Sequence, residues 1–276
     1  MESSGTQVRP LERTTHPFLG ALFALETVSL DVVAGVVGSA LFLVGLVPGV
    51  RAGLPVIASL AAGVLVVYNL DHLFDAVATD PRSTPRRFRY SGHRRLLLGY
   101  TIAATFVGAV SLPFLPSVAW KAGSAVALYQ VCYFIGLKVG LRGPAKRLMA
   151  AVGWAAGLSI PAWCAFPATA RGELALAAAL LAVLGLINLQ SYALVEAEAE
   201  DDRGLLPGSV LRGATVVAAV IGLGGATIFY PEHACRWLAL AAVGCVQVFL
   251  TALPGELVHP AGEWSLALLG LFALVG

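Results

Sequence analysis

Long apolar stretches separated by short polar breaks dominate the chain. A helix needs about 20 mostly apolar residues to cross a bilayer. Stretches of roughly that kind fall at 24–47, 53–76, 95–114, 117–137, 147–166, 173–196, 211–230, 235–253 and 264–276, the last being the shortest. They are rich in Ala, Leu, Val and Gly and show no period-2 alternation, so helices are expected and strands are not. The small residues suit close approach of helices in lipid. The pattern predicts an all-α, polytopic transmembrane bundle of about nine helices. It forms one domain over 1–276, with residues 1–16 as a polar N-terminal tail. Pro161 is expected to kink the fifth span.

Composition sharpens this picture. Of 276 residues 58% are apolar and only 12% charged, with a mean hydropathy of +0.82. Soluble domains carry roughly 25% charged residues. The deficit excludes an ordinary soluble enzyme and a disordered chain. A net charge of +2 without an isolated basic domain excludes a nucleic-acid binder. The tail MESSGTQVRPLERTTH has no apolar core, so a cleaved signal peptide is not expected. Cys132, Cys164, Cys235 and Cys245 lie in apolar runs without metal-type spacing and read as small buried hydrophobes.

The basic residues set an orientation. With the N-terminus in the cytoplasm, fourteen of the eighteen Lys and Arg fall on the cytoplasmic side. The other side receives Arg51, Lys121, Arg171 and Arg236. This bias is the positive-inside pattern of a multi-pass protein of the cell (inner) membrane.

Half of the sixteen acids cluster in two places. One is the end of the second span, with Asp71, Asp75 and then Asp80. The other is the end of the sixth, with Glu196, Glu198, Glu200, Asp201 and Asp202. Both clusters reach the cytoplasmic face in this topology. Asp71 and Asp75 are four apart and share a helix face, with Tyr68 one turn earlier; Glu198 and Asp202 have the same spacing. Paired carboxylates at a bilayer boundary are costly to desolvate. A divalent cation removes that cost, and oxygen ligands from two helices suit Mg²⁺ with phosphate oxygens completing its shell. The alternative is that these acids merely end two helices at the headgroup zone, which fits the EAEAEDD run best. Arg82 and Arg86, in the loop after Asp80, are forks that fit phosphate. Ordinary positive-inside charge explains them equally well, and Lys138 after the fourth span shares the ambiguity. Within the spans, Asn188, Gln190, Ser191 and Tyr192 are polar, and Asn188, Tyr192 and Glu196 form one stripe. Such residues face protein or a wet cavity. Tyr129, Tyr133 and Trp154 are candidates to line an apolar cavity or to anchor at the interface. Glu26 and Asp31, near the start of the first span, have no role in this pattern, and His72 reads as incidental.

In its order of motifs the chain resembles the UbiA superfamily of intramembrane prenyltransferases. Those proteins have nine transmembrane helices and Asp-rich motifs on helices 2 and 6. Asp71 and Asp75 are similar to the last two aspartates of the family's first motif, N-D-x-x-D-x-x-x-D, and DPRSTPRR resembles the segment after it. Glu198-Ala199-Glu200-Asp201-Asp202-Arg203 is similar to the second motif, D-x-E-G-D-R. Tyr133 with Lys138, then Lys146, Gly153 and Pro161, resembles the helix 4–5 region. The likeness runs from about residue 60 to 213. Val67 and Tyr68 stand where the family has Asn and its first Asp, and Asn69 cannot occupy the same face.

The resemblance implies a Mg²⁺-dependent enzyme acting on a polyprenyl diphosphate. Asp71, Asp75, Glu198 and Asp202 would be its catalytic and metal-holding residues. Tyr68, Asn69, Arg82, Arg86, Tyr133, Lys138, Asn188, Ser191 and Tyr192 would bind substrate. The partners implied are a polyprenyl diphosphate, a lipophilic or aromatic acceptor, and the bilayer. Prenyl transfer is the leading expectation. Cyclisation of the prenyl chain and a non-catalytic membrane binding or transport protein on the same scaffold are the alternatives.

Overall fold

The computed structural model describes residues 21, 24–47, 49–78, 92–196, 213, 217, 224, 234–250, 253 and 255–272. The described residues are helical throughout their ordered elements and contain no strand, so the all-α expectation is met. We number the helices α1 (Leu30–Gly45), α2 (Leu54–Ala78), α3 (Arg94–Ser111), α4 (Ser117–Lys138), α5 (Gly143–Ala165), α6 (Arg171–Glu196), α7 (Ala234–Phe249) and α8 (Gly255–Phe272). The expected span 211–230 falls outside the described residues apart from 213, 217 and 224.

Among the described residues, four helical stretches are long and apolar enough to cross a membrane: Leu54–Leu73, Arg94–Phe114, Gly143–Ala165 and Arg171–Tyr192. Their outward faces are greasy. Ile102 and Phe106 on α3 are 61% and 69% exposed, and Leu148 on α5 is 52% exposed. Apolar exposure on this scale is tolerable in hydrocarbon and costly in water. Cys132, Cys235 and Cys245 are also exposed rather than buried. Buried residues stand beside them, Tyr133 next to Cys132 and Trp237 two residues after Cys235, so within an apolar run spacing alone cannot separate outward positions from core.

Two boundaries depart from expectation. The first span is expected from residue 24, but the chain turns at Val28–Ser29 and α1 begins at Leu30. Ser29 has φ 59°, a left-handed conformation that costs a non-glycine residue roughly 1 kcal/mol or more. The last span is expected at 264–276, whereas α8 starts at Gly255 and carries Val258-His259-Pro260-Ala261-Gly262-Glu263 inside the helix. Its polar residues are accommodated because other buried helices supply partners for them. Pro161 lies within α5, which continues as one α-helix to Ala165.

The core is built on α1. Val32, Val36, Ala40 and Leu43 on it belong to one apolar cluster with Leu181 and Leu184 of α6, Trp237 of α7, and Leu266 and Leu269 of α8. Its closest seam is with α8. A Cβ added to Gly38 would sit 2.5 Å from the Ala267 carbonyl oxygen, and one added to Gly270 would sit 2.9 Å from the Gly38 Cα. The pairs Gly35–Glu263 and Gly38–Ala267 advance together along both chains, so α1 and α8 run parallel. Glycine here buys backbone contact that no side chain allows.

Candidate functional site

The end of α2 is fixed by a buried amide. Asn69 is fully buried and accepts, through Oδ1, a 3.0 Å hydrogen bond from the Ser29 hydroxyl. The left-handed turn at Ser29 is what aims this hydroxyl. An asparagine in an apolar bundle without such a partner would leave a polar group unpaired at a cost of about 1–3 kcal/mol. His72, one turn later, is 4% exposed and belongs to the buried face of α2. Tyr68 packs against the main core cluster, and Asp71 is half-buried and engaged in polar contact. Asp75 falls in the same helix, but its side chain lies outside the described residues, as do Arg82, Arg86, Glu198 and Asp202 entirely.

The end of α6 is tied to α8. Asn188 donates from Nδ2 to Glu263 Oε1 at 3.2 Å. The Tyr192 hydroxyl lies 3.0 Å from the His259 carbonyl and 3.2 Å from Glu263 Oε1. The Tyr192 and His259 rings stack, with centroids 4.0 Å apart and planes 17° from parallel. Gly262 makes this possible, because a Cβ there would overlap both Asn188 Oδ1 and Tyr192 Oη. Ser191 spends its hydroxyl on the Ile187 carbonyl of its own helix at 3.0 Å and is fully buried.

One further contact joins these two regions. His259 Nδ1 lies 3.7 Å from Asp31 Oδ2, two residues beyond Ser29. The contacts Asn69–Ser29, Asp31–His259 and His259–Tyr192 therefore place the end of α2, the start of α1, the start of α8 and the end of α6 at one end of the bundle. The first acidic stretch closes α2 there. Glu198 and Asp202 follow two and six residues after Glu196, where α6 closes.

The remaining expected residues are more scattered. Tyr133 is buried in α4 and meets Phe134 edge-on at 5.6 Å. Lys138 ends α4 and is exposed. Tyr129 donates to the Met149 carbonyl at 2.8 Å, and Trp154 packs on Gly185, 3.1 Å from where a Cβ would stand. An apolar cavity of about 380 Å³ lies between α4, α5 and α6, walled by residues such as Val126, Ala155, Ser159, Trp163, Leu174 and Ala178. Tyr129, Tyr133 and Trp154 are not among its walls. It follows the last part of α5 and the first half of α6. Ala182, its nearest wall on α6, is ten residues from Tyr192, about 15 Å along the helix.

Among the described residues no three His, Cys, Asp or Glu side chains are grouped to hold a metal ion. Of the four expected metal-holding carboxylates, only that of Asp71 lies within the described residues. Sequence reasoning missed His259 and Glu263. Their signal is four-residue spacing around Gly262, flanked by apolar runs on both sides. No protein-family model matches the chain, and comparison with curated proteins and with solved structures finds no match.

Proposed function

We propose that the chain is a multi-pass membrane enzyme that ionises a polyprenyl diphosphate and transfers the prenyl group to an acceptor. The observation that carries this reading is the meeting of the ends of α2 and α6 at one end of an apolar bundle, each leading into a carboxylate-rich stretch. The order of motifs along the chain supports it, as does the apolar exposure of the helices.

In this reading the diphosphate sits at the polar end and the tail lies among the helices. Asp71, Asp75, Glu198 and Asp202 are hard oxygen donors of the kind that would hold Mg²⁺, and that ion would supply positive charge to the diphosphate. Arg82, Arg86 and Lys138 contribute further charge as the C–O bond lengthens. Tyr68, Asn69, Tyr133, Asn188, Ser191 and Tyr192 line or brace the substrate's path. Of these, Asn69 is fully buried and braces the end of α2 through Ser29, and Ser191 is fully buried with its hydroxyl bonded within its own helix. The bundle keeps water from the allylic cation until an acceptor nucleophile reaches it. If a double bond of the same chain reaches it first, the outcome is cyclisation.

The test is incubation of the purified chain in lipid with geranyl, farnesyl and geranylgeranyl diphosphates and Mg²⁺. Diphosphate release that is lost in Asp71→Asn and Asp202→Asn is the expected result. A cyclic hydrocarbon or alcohol formed without an added acceptor selects cyclisation. No release at any chain length refutes both.

A further inference from the structure

We propose that the groove between α4, α5 and α6 is a binding site for an anionic phospholipid, with one acyl chain lying in the groove and the phosphate meeting Arg171 and Lys121. α4 and α6 both pack on α5 and leave the cavity of about 380 Å³ between them. Its walls are apolar, and the hydroxyl of Ser159 is bonded to the Ala155 carbonyl of its own helix at 2.6 Å. Ala155, Ala156, Ala178 and Ala182 are too small to fill it. It is reached from outside the bundle, since Val152 and Trp163 in its walls are 44% and 39% exposed. Those two residues mark its ends on α5 and stand eleven residues apart, about 16 Å along the helix. One leaflet of a hydrocarbon core about 30 Å thick has nearly the same depth. The groove therefore takes a single extended chain from one leaflet.

The mouth supplies the selectivity. Lipid tails are as apolar as these walls, so the groove alone barely discriminates and the headgroup decides. The exposed indoles of Trp120 and Trp163 stand at this end of α4 and α5, as interfacial aromatics do. The Arg171 guanidinium lies 5.1 Å from the centre of the Trp163 ring, which places a cation over a wall of the groove. On α4, Lys121 is exposed beside Ala122, another wall residue. The acid nearest Arg171 in sequence, Glu173, is buried. Two cations at headgroup level favour a phosphate that keeps its net charge, as in phosphatidylglycerol, over one balanced by its own choline. α6 starts here and ends at the other face, where the acidic stretch follows. The site is thus separate from the one proposed for a diphosphate and stands without it.

The test is native mass spectrometry of the full chain, delipidated in detergent and titrated with phosphatidylglycerol or with phosphatidylcholine of the same acyl chains. The first phosphatidylglycerol is expected to bind about tenfold or more tightly than the first phosphatidylcholine. Replacing both cations, Arg171→Gln with Lys121→Gln, should abolish that preference. Ala178→Phe, which fills the groove, should weaken both lipids; if it does not fold, the double variant alone decides. Equal binding of the two lipids by the wild type, a preference that survives the double variant, or binding unchanged in a folded Ala178→Phe overturns the proposal. So does a wild type that binds neither lipid, the result expected if the chain's own segment 211–230 fills the groove.

Discussion

Replacing Gly38 by alanine tests the seam on which the polar end of the bundle depends. The added Cβ would lie 2.5 Å from the Ala267 carbonyl oxygen, 2.7 Å from its Cα and 2.9 Å from its carbonyl carbon. All three are backbone atoms, so no side chain can swing away. Relief requires α1 and α8 to separate by several tenths of an ångström or more. Overpacking of this kind costs typically about 1–3 kcal/mol. Part of that is offset, because alanine is favoured over glycine in a helix by roughly 0.5–1 kcal/mol. The same propensity gain should appear undiluted at Gly63 in α2, where a Cβ meets nothing within 4 Å. Gly38→Ala should therefore destabilise by about 1–2 kcal/mol net while Gly63→Ala is neutral or mildly stabilising. Reversible unfolding in mixed micelles, followed by circular dichroism, measures both. Equal midpoints for the two variants would refute the parallel α1–α8 seam.

The other predictions concern the polar contacts. Ser29→Ala removes the hydroxyl that serves Asn69 and should cost about 1–3 kcal/mol in the same unfolding assay. Ser29→Gly loses that bond as well but relieves the left-handed backbone, so it should be milder by roughly 1 kcal/mol. Glu263→Ala strips the acceptor from both Asn188 and Tyr192 and should destabilise by about 2 kcal/mol or more, with Tyr192→Phe costing about half of that. In each case an unchanged midpoint contradicts the contact described.

Much of the helix pattern is legible in the chain because apolar runs of sufficient length have few alternatives to helix. Expected spans 53–76, 117–137 and 173–196 meet Leu54–Ala78, Ser117–Lys138 and Arg171–Glu196. The failures share a cause. Hydropathy treats a polar residue as a sign of exposure and cannot know that it has a partner in another helix. The stretch from Gly255 to Glu263 therefore reads as a loop, although Asn188, Tyr192 and Asp31 supply it with neighbours from α6 and α1. The same blindness hides the burial of Asp31 and His72. Side-chain spacing placed Asp71 and Asp75 on one face. It could not show that Asn69, on the neighbouring face, would anchor the helix through a hydroxyl forty residues earlier.

The central claim is that two distant acidic stretches act on one diphosphate. Calorimetric titration of the chain in nanodiscs with a non-cleavable farnesyl thiodiphosphate analogue, with and without Mg²⁺, tests it most directly. The account predicts Mg²⁺-dependent binding that weakens at least about tenfold, roughly 1.4 kcal/mol, in Asp71→Asn and again in Asp202→Asn. Binding that ignores Mg²⁺, or that survives both substitutions unchanged, would contradict it.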